Sequence, residues 1–391
     1  MGKVFIAGAV RTPIGSLNGS LSGVGAVELG KICVSESLRR GGVNPDAVDE
    51  VIIGNVLQAG LGQNPARQIA IGCGISKRAS AFTVNQVCGS GLKAIDLARR
   101  AVMSGDASII IAGGIESMSG APYILPAMRQ GARLGESAAL DSAISDGLTD
   151  AFGRYHMGVT AENVASKYAV SREAQDRFAF ESQRKYKAAL EKGFFKEEIV
   201  PVTVKQRKTE IVIGTDEYPK PDTTFEILSK LKPAFKPDGT VTAGNSSGIN
   251  DGAASVLLFS EDRAPACTAG RILVRDIVCV GCEPELMGMG PVMAVKALLS
   301  RQKMQIGDID VWELNEAFAA QSVAVLNELG IDAGRVNVNG GAIALGHPIG
   351  ASGARIVVTL INQMKRQNAG LGIASLCVGG GMGLAILLEN V

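Results

Sequence analysis

The sequence is poor in several residue types that would otherwise point to a function. Histidine occurs only twice in 391 residues, as His156 and His347, so any imidazole chemistry depends on one of these two. Aromatic residues make up 4% of the chain, which leaves aliphatic side chains to fill the core, as in buried parallel sheets. Seven cysteines, an odd number, occur without a secretion signal, and this predicts reduced thiols rather than a disulfide framework.

Charge of one sign and long apolar runs are also missing. Lys and Arg number 39 against 38 Asp and Glu, so no basic field exists to attract nucleic acid or an anionic membrane. The longest strongly apolar run, residues 107–115, is far shorter than the ~20 residues of a membrane-spanning helix. The first residues resemble neither a signal nor a transit peptide, and the final Glu389-Asn-Val391 is no peroxisomal signal, so we expect a cytoplasmic protein.

Glycine, in contrast, is plentiful, with 49 residues clustered in short motifs that indicate tight turns and close backbone contacts. The first 118 residues alternate strand-like and helical patterns. Val24–Arg40 has helical spacing, whereas Val51–Val56, Ser80–Val84 and Ser108–Ala112 are strand-like. This alternation predicts an α/β architecture.

Residues 119–245 differ from the rest in composition. They are richer in charge and loop signals and include the helical stretch Ser171–Lys192. We interpret them as an inserted loop domain. The insertion divides the chain into a first half, residues 1–118 plus 246–268, and a second half, residues 269–391.

The second half repeats the first. Three pairs of positions align at offsets of 260, 262 and 266: Asn55 with Asn315, Gly91 with Gly353, and Gly113-Gly114 with Gly379-Gly380. The last offset requires a four-residue insertion before the final strand. Ordered matches of this kind predict two similar α/β halves packed together, rather than a solenoid with short repeats.

The first candidate for chemistry is Cys88, in Asn85-Gln-Val-Cys-Gly-Ser-Gly91, between a predicted strand and a predicted helix. The N-terminus of the helix and its free N–H groups favour a thiolate and offer donors to an oxyanion. The small residues after the cysteine leave room for a substrate at the sulfur. An inert core cysteine is the alternative.

The second candidate is His347, in Asn339-Gly-Gly-Ala-Ile-Ala-Leu-Gly-His-Pro-Ile-Gly-Ala-Ser-Gly353. Pro348 restricts the backbone directly after the histidine. An imidazole in a glycine-lined cavity is expected to act as a base, because its ordinary pKa lies near neutrality. A structural cap is the alternative.

Two strand ends supply further candidates. Cys377, in Ser375-Leu-Cys-Val-Gly-Gly-Gly-Met-Gly383, ends a buried strand, and ligand sites in α/β sheets lie at such ends. Asn315-Glu-Ala-Phe318 follows the strand Val311–Leu314, where Asn and Glu orient a water or an imidazole. A core cysteine and a helix-capping turn are the alternatives.

Three weaker signals do not point to a site of their own. Cys279-Val-Gly-Cys282 has no second ligand pair nearby, so we expect no metal site. The glycine run that begins at Gly379 lacks the Lys-Ser/Thr of a phosphate loop. On position alone, His156 is expected to be a surface or structural residue.

Together these segments resemble the thiolase family along essentially the whole chain. The stretches that carry the resemblance are, in order, VNQVCGSGLKA, NEAFAAQ, NVNGGAIALGHPIGASG and CVGGGMG. YHMGVTAENVA and VTAGNSSGINDGAA resemble loop-domain segments of the short-chain biosynthetic members, the acetyl-CoA C-acetyltransferases. The resemblance implies two βαβαβαββ halves in α-β-α-β-α layers, an inserted loop domain, and a homotetramer (a dimer of dimers) joined by a tetramerisation loop at Ser119–Gly135.

The resemblance also implies a reaction, the reversible condensation of two acetyl-CoA molecules to acetoacetyl-CoA and CoA. Cys88 would be the nucleophile, and His347 would activate it and line an oxyanion hole with a water held by Asn315. Cys377 would remove the Cα proton of the second acetyl-CoA. The N–H groups of Cys88 and Gly379 would form a second oxyanion hole. Coenzyme A would be a substrate, and no permanently bound cofactor is expected.

Coenzyme A contacts carry over to ten further positions: Leu148, His156, Met157, Lys220, Ala243, Ser247, Gly248, Met287, Ala317 and Phe318. The chain departs from the family pattern at Lys220, where relatives have Arg, and at Ile227, where they have Ser. Lysine lacks the planar fork of arginine, so a weaker or rearranged contact with the nucleotide is expected.

Other functions remain open at this point. A degradative thiolase for longer 3-ketoacyl-CoA, or a ketoacyl synthase, would keep the fold. Such synthases use a cysteine with two histidines, or with His and Asn, and do not need a second cysteine at position 377. A non-catalytic binder of acyl-CoA or lipid would need none of Cys88, His347 and Cys377.

Overall fold

The computed structural model describes residues 2–206, 209–266 and 272–391. The expected boundary between the halves, at residues 268 and 269, lies outside these ranges. None of the helices within them has both the length and the apolar character that crossing a bilayer requires.

The first half alternates strands and helices up to residue 117. Its elements are β1 (Val4–Arg11), β2 (Gly15–Ser16), α1 (Ala26–Gly41), β3 (Glu50–Gly54), α2 (Pro65–Gly72), β4 (Ser80–Val84), α3 (Ser90–Ser104) and β5 (Ile109–Ser117). The inserted region follows with β6 (Tyr123–Ile124), β7 (Leu140–Asp141), α4 (Met157–Lys167), α5 (Arg172–Glu191), β8 (Val202–Gln206), β9 (Thr209–Ile213) and α6 (Phe225–Ser229). Strand β10 (Asn250–Ser260) then returns to the first sheet and pairs with β1 and β5.

The second half repeats this order. Its elements are β11 (Ile272–Gly281), α7 (Gly290–Gln302), β12 (Val311–Leu314), α8 (Ala319–Leu329), α9 (Ala342–Leu345), α10 (Ile349–Gln367), β13 (Leu371–Val378) and β14 (Met382–Asn390). The strands run in the order β12-β13-β14-β11-β1-β10-β5-β3-β4, with β2 beside β10. The short antiparallel pairing of β1 with β11 joins the sheets of the two halves edge to edge.

The apolar core confirms the layers expected for two packed halves. One buried cluster joins α3 and α10 to the inner faces of both sheets, with Ile95, Ile110, Val358 and Leu376 among its members. A second cluster packs α7 and α8 on the outer face of one sheet, and a third packs α1 and α2 on the outer face of the other. The order of layers is therefore α-β-α-β-α, with α3 and α10 in the centre.

Two glycines allow the central helices to touch. A Cβ atom on Gly91 would lie 2.7 Å from the backbone nitrogen of Ala354, and one on Gly353 would lie 2.4 Å from that of Leu92. The repeat in the sequence thus marks the point where α3 and α10 cross. The close approach also brings the N-termini of both helices together.

The structure differs from the predicted repeat in two places. β5 does not end at Gly113-Gly114 but continues to Ser117. In the parallel pairs, Gly114 lies opposite Gly54 and Ser375 lies opposite Leu314, so the offset is 261 and no four-residue insertion exists. In addition, the third strand of the second half is reduced to a single bridge between Trp312 and Val336.

Candidate active site

Cys88 lies on a sharp turn between β4 and α3. The residue before it, Val87, has a φ of +46°, which a β-branched side chain rarely adopts. The turn is held by the Ser90 hydroxyl, which accepts from Gln86 N at 2.8 Å and donates to Val87 O at 2.7 Å. The strained turn presents the half-buried thiol to the cavity described below, as in other nucleophile elbows.

The surroundings of Cys88 do not favour a thiolate in the resting protein. Burial raises the pKa of its thiol to about 11, although backbone N–H groups of Gly379 and of Cys88 itself act in the opposite direction. The N–H groups at this turn lower the pKa of the thiol, as expected, but desolvation outweighs them. Cys88 needs a base to become a nucleophile at neutral pH.

His347 is buried directly before α10, and its backbone and ring are both fixed. Its backbone N–H donates to Asn250 Oδ1 at 2.8 Å. Its ring Nδ1 lies 2.6 Å from the Ser352 hydroxyl, which itself donates to Pro348 O at 2.9 Å. A hydroxyl has one proton, so this network assigns the hydrogen of the neutral ring to Nδ1. The other ring nitrogen, Nε2, is left without it and is free to accept a proton.

The charge state of His347 also differs from the sequence-based expectation. Burial, together with the positive charge of Arg355, lowers the pKa of His347 to about 3. The imidazole is therefore neutral at physiological pH, which is the form that a general base requires.

Asn315 follows β12 and is fully buried beside His347, with 3.4 Å between its Nδ2 and the imidazole Nδ1. Its Oδ1 accepts from Arg355 Nη2 at 3.2 Å. Because arginine only donates, this contact fixes which way the amide faces. Asn315 itself lies behind the imidazole and is not part of the cavity wall.

Cys377 and Gly379 come from the carboxyl end of β13, which pairs in parallel with β12. Cys377 is 1% exposed in β13, and burial raises the pKa of its thiol well above the ordinary range, with a further contribution from nearby Cys88. The hairpin that follows turns through Gly380 and Gly381, whose φ angles are +81° and +83°. This turn brings Gly379 N–H to the sulfur of Cys88.

One cavity of about 620 Å³ brings these groups together. Cys88, His347 and Cys377, which the sequence separates by hundreds of residues, all line it. The ten positions predicted to contact coenzyme A line it as well: Leu148, His156, Met157, Lys220, Ala243, Ser247, Gly248, Met287, Ala317 and Phe318.

His156 has a structural role besides its place in the cavity wall. Its Nδ1 accepts from Gly158 N at 3.0 Å and caps α4, while its ring stacks on Phe235 at 4.8 Å. Burial lowers the pKa of His156, so it too is neutral. Of the two departures from the family pattern, Lys220 lies in the wall, whereas Ile227 on α6 is exposed and outside it.

Several residues of the site were not singled out in the sequence. Tyr218, Phe235 and Ile349 line the cavity, and Asn250, Ser352 and Arg355 hold His347 and Asn315 from behind. Two of these, Ser352 and Arg355, lie in the first two turns of α10, directly after His347, and this proximity in sequence was the available signal. The others come from elements whose proximity only the tertiary fold reveals.

Comparisons with known proteins agree along the whole chain. Residues 4–262 match the family model "Thiolase, N-terminal domain", and residues 270–390 match "Thiolase, C-terminal domain". The chain is 52% identical over its full length to the full-length acetyl-CoA acetyltransferase of Cupriavidus necator, and 52% identical to an acetyl-CoA acetyltransferase of Escherichia coli that is also covered completely. The crystal structure of the Bacillus anthracis acetyl-CoA acetyltransferase is 42% identical and superposes with a TM-score of 0.98, covering all of this chain and 99% of that one. The chain belongs to the thiolase family.

Proposed function

We propose that this chain is an acetyl-CoA C-acetyltransferase, an acyltransferase that reversibly condenses two acetyl-CoA molecules to acetoacetyl-CoA and CoA. The observation that carries the proposal is the meeting of two cysteines and one neutral histidine in a single cavity. The names of its full-length relatives point to the same reaction.

In the first step, Cys88 takes the acetyl group. Its sulfur attacks the thioester carbonyl of acetyl-CoA while His347 Nε2 accepts the thiol proton. The departing CoA thiolate then takes the proton of Cys377, which leaves an acetylated Cys88, an imidazolium and a Cys377 thiolate. Burial favours this role for Cys377, because a thiol with a raised pKa holds its proton until a strong acceptor forms.

In the second step, the Cys377 thiolate removes a Cα proton from another acetyl-CoA. The resulting carbanion attacks the acetyl group on Cys88, and the Cys88 sulfur leaves with the proton of the imidazolium. Oxyanion donors are required because the Cα proton is weakly acidic. Gly379 N–H supplies one, with the N–H of Cys88, and His347 supplies another beside Asn315.

The wall of the cavity supports a thioester substrate with a short acyl chain. Met157, Phe235 and Met287 place large apolar side chains around the reactive groups. Ser247, Gly248 and Lys220 line the same space and provide polar contacts for the pantetheine and the nucleotide. We infer that the substrate enters past the inserted region, which contributes Met157, Lys220 and Phe235.

We further propose a homotetramer built from two dimers. Strand β4 ends the sheet with one edge unpaired among the described residues, and Phe82 on it is exposed. Such an edge invites pairing with a second copy. Residues 119–135, the proposed tetramerisation loop, expose Tyr123, Met128 and Leu134, which a contact between dimers would cover.

The domain boundaries given above and a cytoplasmic location stay predictions of the same proposal. Direct evidence on either requires limited proteolysis of the purified chain and fractionation of cells that express it.

The proposed reaction is tested first on the wild-type protein. After mixing with acetyl-CoA and quenching in acid, mass spectrometry should find one acetyl group on the peptide that contains Cys88. Absence of this adduct would overturn the mechanism.

A comparison of substrates separates the remaining candidates. Thiolysis should be fastest with acetoacetyl-CoA and slower with 3-ketohexanoyl-CoA and longer esters. Faster turnover of the longer esters would instead identify a degradative thiolase. Tight binding of acyl-CoA without turnover would identify a non-catalytic binder.

A further inference from the structure

A fully buried pair of ionisable side chains lies directly behind Asn315, and burial raises the pKa of Glu313 to about 8 although the charge of Arg355 acts in the opposite direction. Arg355 on α10 is 2% exposed and Glu313 on β12 is 1% exposed, with 3.6 Å between Nη1 of the arginine and the nearer carboxylate oxygen. Side chains two residues apart on a strand share a face, so Glu313 and Asn315 both point toward α10. Arg355 thus contacts the carboxylate with one end of its guanidinium and Asn315 Oδ1 with the other.

The pair is poorly suited to stabilising the fold. Both carboxylate oxygens of Glu313, and Nε and Nη1 of Arg355, have no hydrogen-bond partner within the described part of the chain. A buried pair without good hydrogen bonds rarely repays the cost of desolvation, and apolar residues of similar volume serve as well or better. Its presence calls for a different explanation.

The internal repeat provides a control for that explanation. At the offsets of 260 and 262, Asn315 corresponds to Asn55, Glu313 to Ile53 and Arg355 to Lys93. In the first half, Lys93 pairs with Asp96 on its own helix, and Asn55 Oδ1 has no partner among the described residues. The same fold therefore forms without the buried pair, which among the described residues occurs in the half that carries His347 and not at the equivalent positions of the other half.

The contact between Asn315 and His347 shows what the pair does. The assignment above places a hydrogen on His347 Nδ1, so the 3.4 Å contact joins two donors and has no attraction of its own. An amide that was free to turn would place its Oδ1 on this side, where the oxygen could share that hydrogen with the Ser352 hydroxyl. Arg355 prevents this, because it holds Oδ1 on its own side.

We propose that Arg355, paired with Glu313, is a positioning residue that keeps the NH₂ group of Asn315, rather than its oxygen, beside His347. The inference rests on the proposed function, in which His347 acts on the substrate and needs a fixed neighbour in Asn315. The positive charge of Arg355 has a second effect, because it contributes to the lowered pKa of His347.

Kinetics of a double-mutant cycle test the proposal. The proteins compared are the wild type, Asn315→Ala, the paired variant Glu313→Leu/Arg355→Met, and the combination of all three changes. The paired variant replaces both members of the buried pair together, so it should fold with a melting temperature near that of the wild type. Its kcat for thiolysis should fall roughly 100-fold with KM little changed, since the amide is misplaced while the cavity wall is intact.

The distinguishing result is non-additivity. If Arg355 acts through Asn315, the combined variant loses no more kcat than Asn315→Ala alone. If the losses in kcat from the two sets of changes multiply in the combined variant, the proposal is overturned. A paired variant with the kcat of the wild type would also overturn it. Thr359→Val is the matched control: it removes another buried polar group one turn along α10, beside Glu198 rather than Asn315, and should keep kcat.

A crystal structure of the paired variant gives a readout that does not depend on activity. Once released, the amide should turn its oxygen toward His347 Nδ1, and the separation should shorten from 3.4 Å as the oxygen shares the hydrogen that Nδ1 donates to Ser352. An unchanged separation would refute the positioning role even if kcat had fallen. A wild-type protein without thiolysis activity would refute the proposed function instead, and the crystal structure would still decide the role of Arg355.

Discussion

The two cysteines of the cavity have different surroundings, and this predicts different roles. Cys88 is half-buried on a strained turn, whereas Cys377 is fully buried in a strand and receives a charge contribution from Cys88. We expect Cys377→Ala to accept an acetyl group on Cys88 but to lose condensation by roughly 100-fold to 10,000-fold, the usual contribution of a positioned acid or base. Adduct mass and the rate of acetoacetyl-CoA formation measure the two steps separately.

Cys33 provides the matched control for that variant. It is equally buried, on α1, and its thiol contacts Ala253 O far from the cavity lining. Cys33→Ala should acetylate and condense at rates close to those of the wild type. Condensation at the full rate by Cys377→Ala would remove Cys377 from the mechanism.

Stability should depend on pH through His347. Its pKa falls from 6.5 to about 3 on folding, so between these values the unfolded chain binds more protons than the folded one. The contribution of the neutral imidazole to the free energy of unfolding is complete above pH 6.5. It is lost as the pH falls toward 3, by up to about 1.4 kcal/mol per pH unit. Melting temperatures of the wild type and His347→Asn should therefore converge as the pH is lowered from 7 to 4.5. If the melting temperatures of the two proteins instead change in parallel with pH, this would contradict a buried neutral imidazole.

At the scale of single residues, the sequence predicts which groups react but not their protonation states. Cys88, His347 and Cys377 each lie in a short glycine-rich segment that can be recognised in the amino-acid sequence. The raised pKa of Cys88 and the lowered pKa of His347 follow from burial, which depends on the packing of distant elements. Arg355 was missed because nothing local shows that it touches Asn315.

At the scale of elements, the corrected repeat relates the reactive groups to counterparts in the other half. At an offset of 261, Cys377 corresponds to Glu116, and at 262, Cys88 corresponds to Gly350. Glu116 is buried and accepts from Gly350 N at 2.9 Å, just as Cys377 lies near Cys88. The contact between Cys377 and Cys88 thus forms the reactive site, while the equivalent contact between Glu116 and Gly350 binds α10 to the first sheet. The sequence alignment paired Gly113-Gly114 with Gly379-Gly380 and was wrong there, because glycine occurs inside strands as well as in turns.

The crossing of α3 and α10 predicts the cost of a single added methyl group. A Cβ at Gly353 would lie 2.4 Å from Leu92 N, a backbone atom that cannot move independently. We expect Gly353→Ala to destabilise the protein by about 1–3 kcal/mol. Activity of the folded fraction should fall as well, because the two helices carry Cys88 and His347 at their starts. Thermal melting and thiolysis rates measure the two effects.

Gly307 is the control for this substitution. It lies in a short turn of 3-10 helix, and a Cβ there would meet no heavy atom within 4 Å. Gly307→Ala should leave stability and activity unchanged. Equal stability and activity of the two variants would mean that the helix crossing can accommodate an added methyl group.

At the scale of the whole molecule, the duplication was predictable and the joining of the halves was not. Repeated motifs predict two similar α/β units, because each unit needs the same strand and helix periodicities. The edge pairing of β1 with β11, which merges their sheets, involves only two residue pairs and leaves no trace in the sequence pattern. Likewise, the bridge at Val336 replaces a strand that the first half has in full.

The unpaired edge of β4 predicts where two copies of the chain meet. Phe82 is 38% exposed on this strand, and a second copy aligned with the edge would cover it and satisfy the free backbone groups. Phe82→Glu would place a charge from each copy in the shared interface, so the variant should sediment as a smaller species than the wild type. Met293→Glu changes an exposed apolar residue on α7, away from this edge, and should leave the assembly intact. Sedimentation velocity compares all three, and a Phe82→Glu variant with the wild-type sedimentation coefficient would show that the copies associate through another surface.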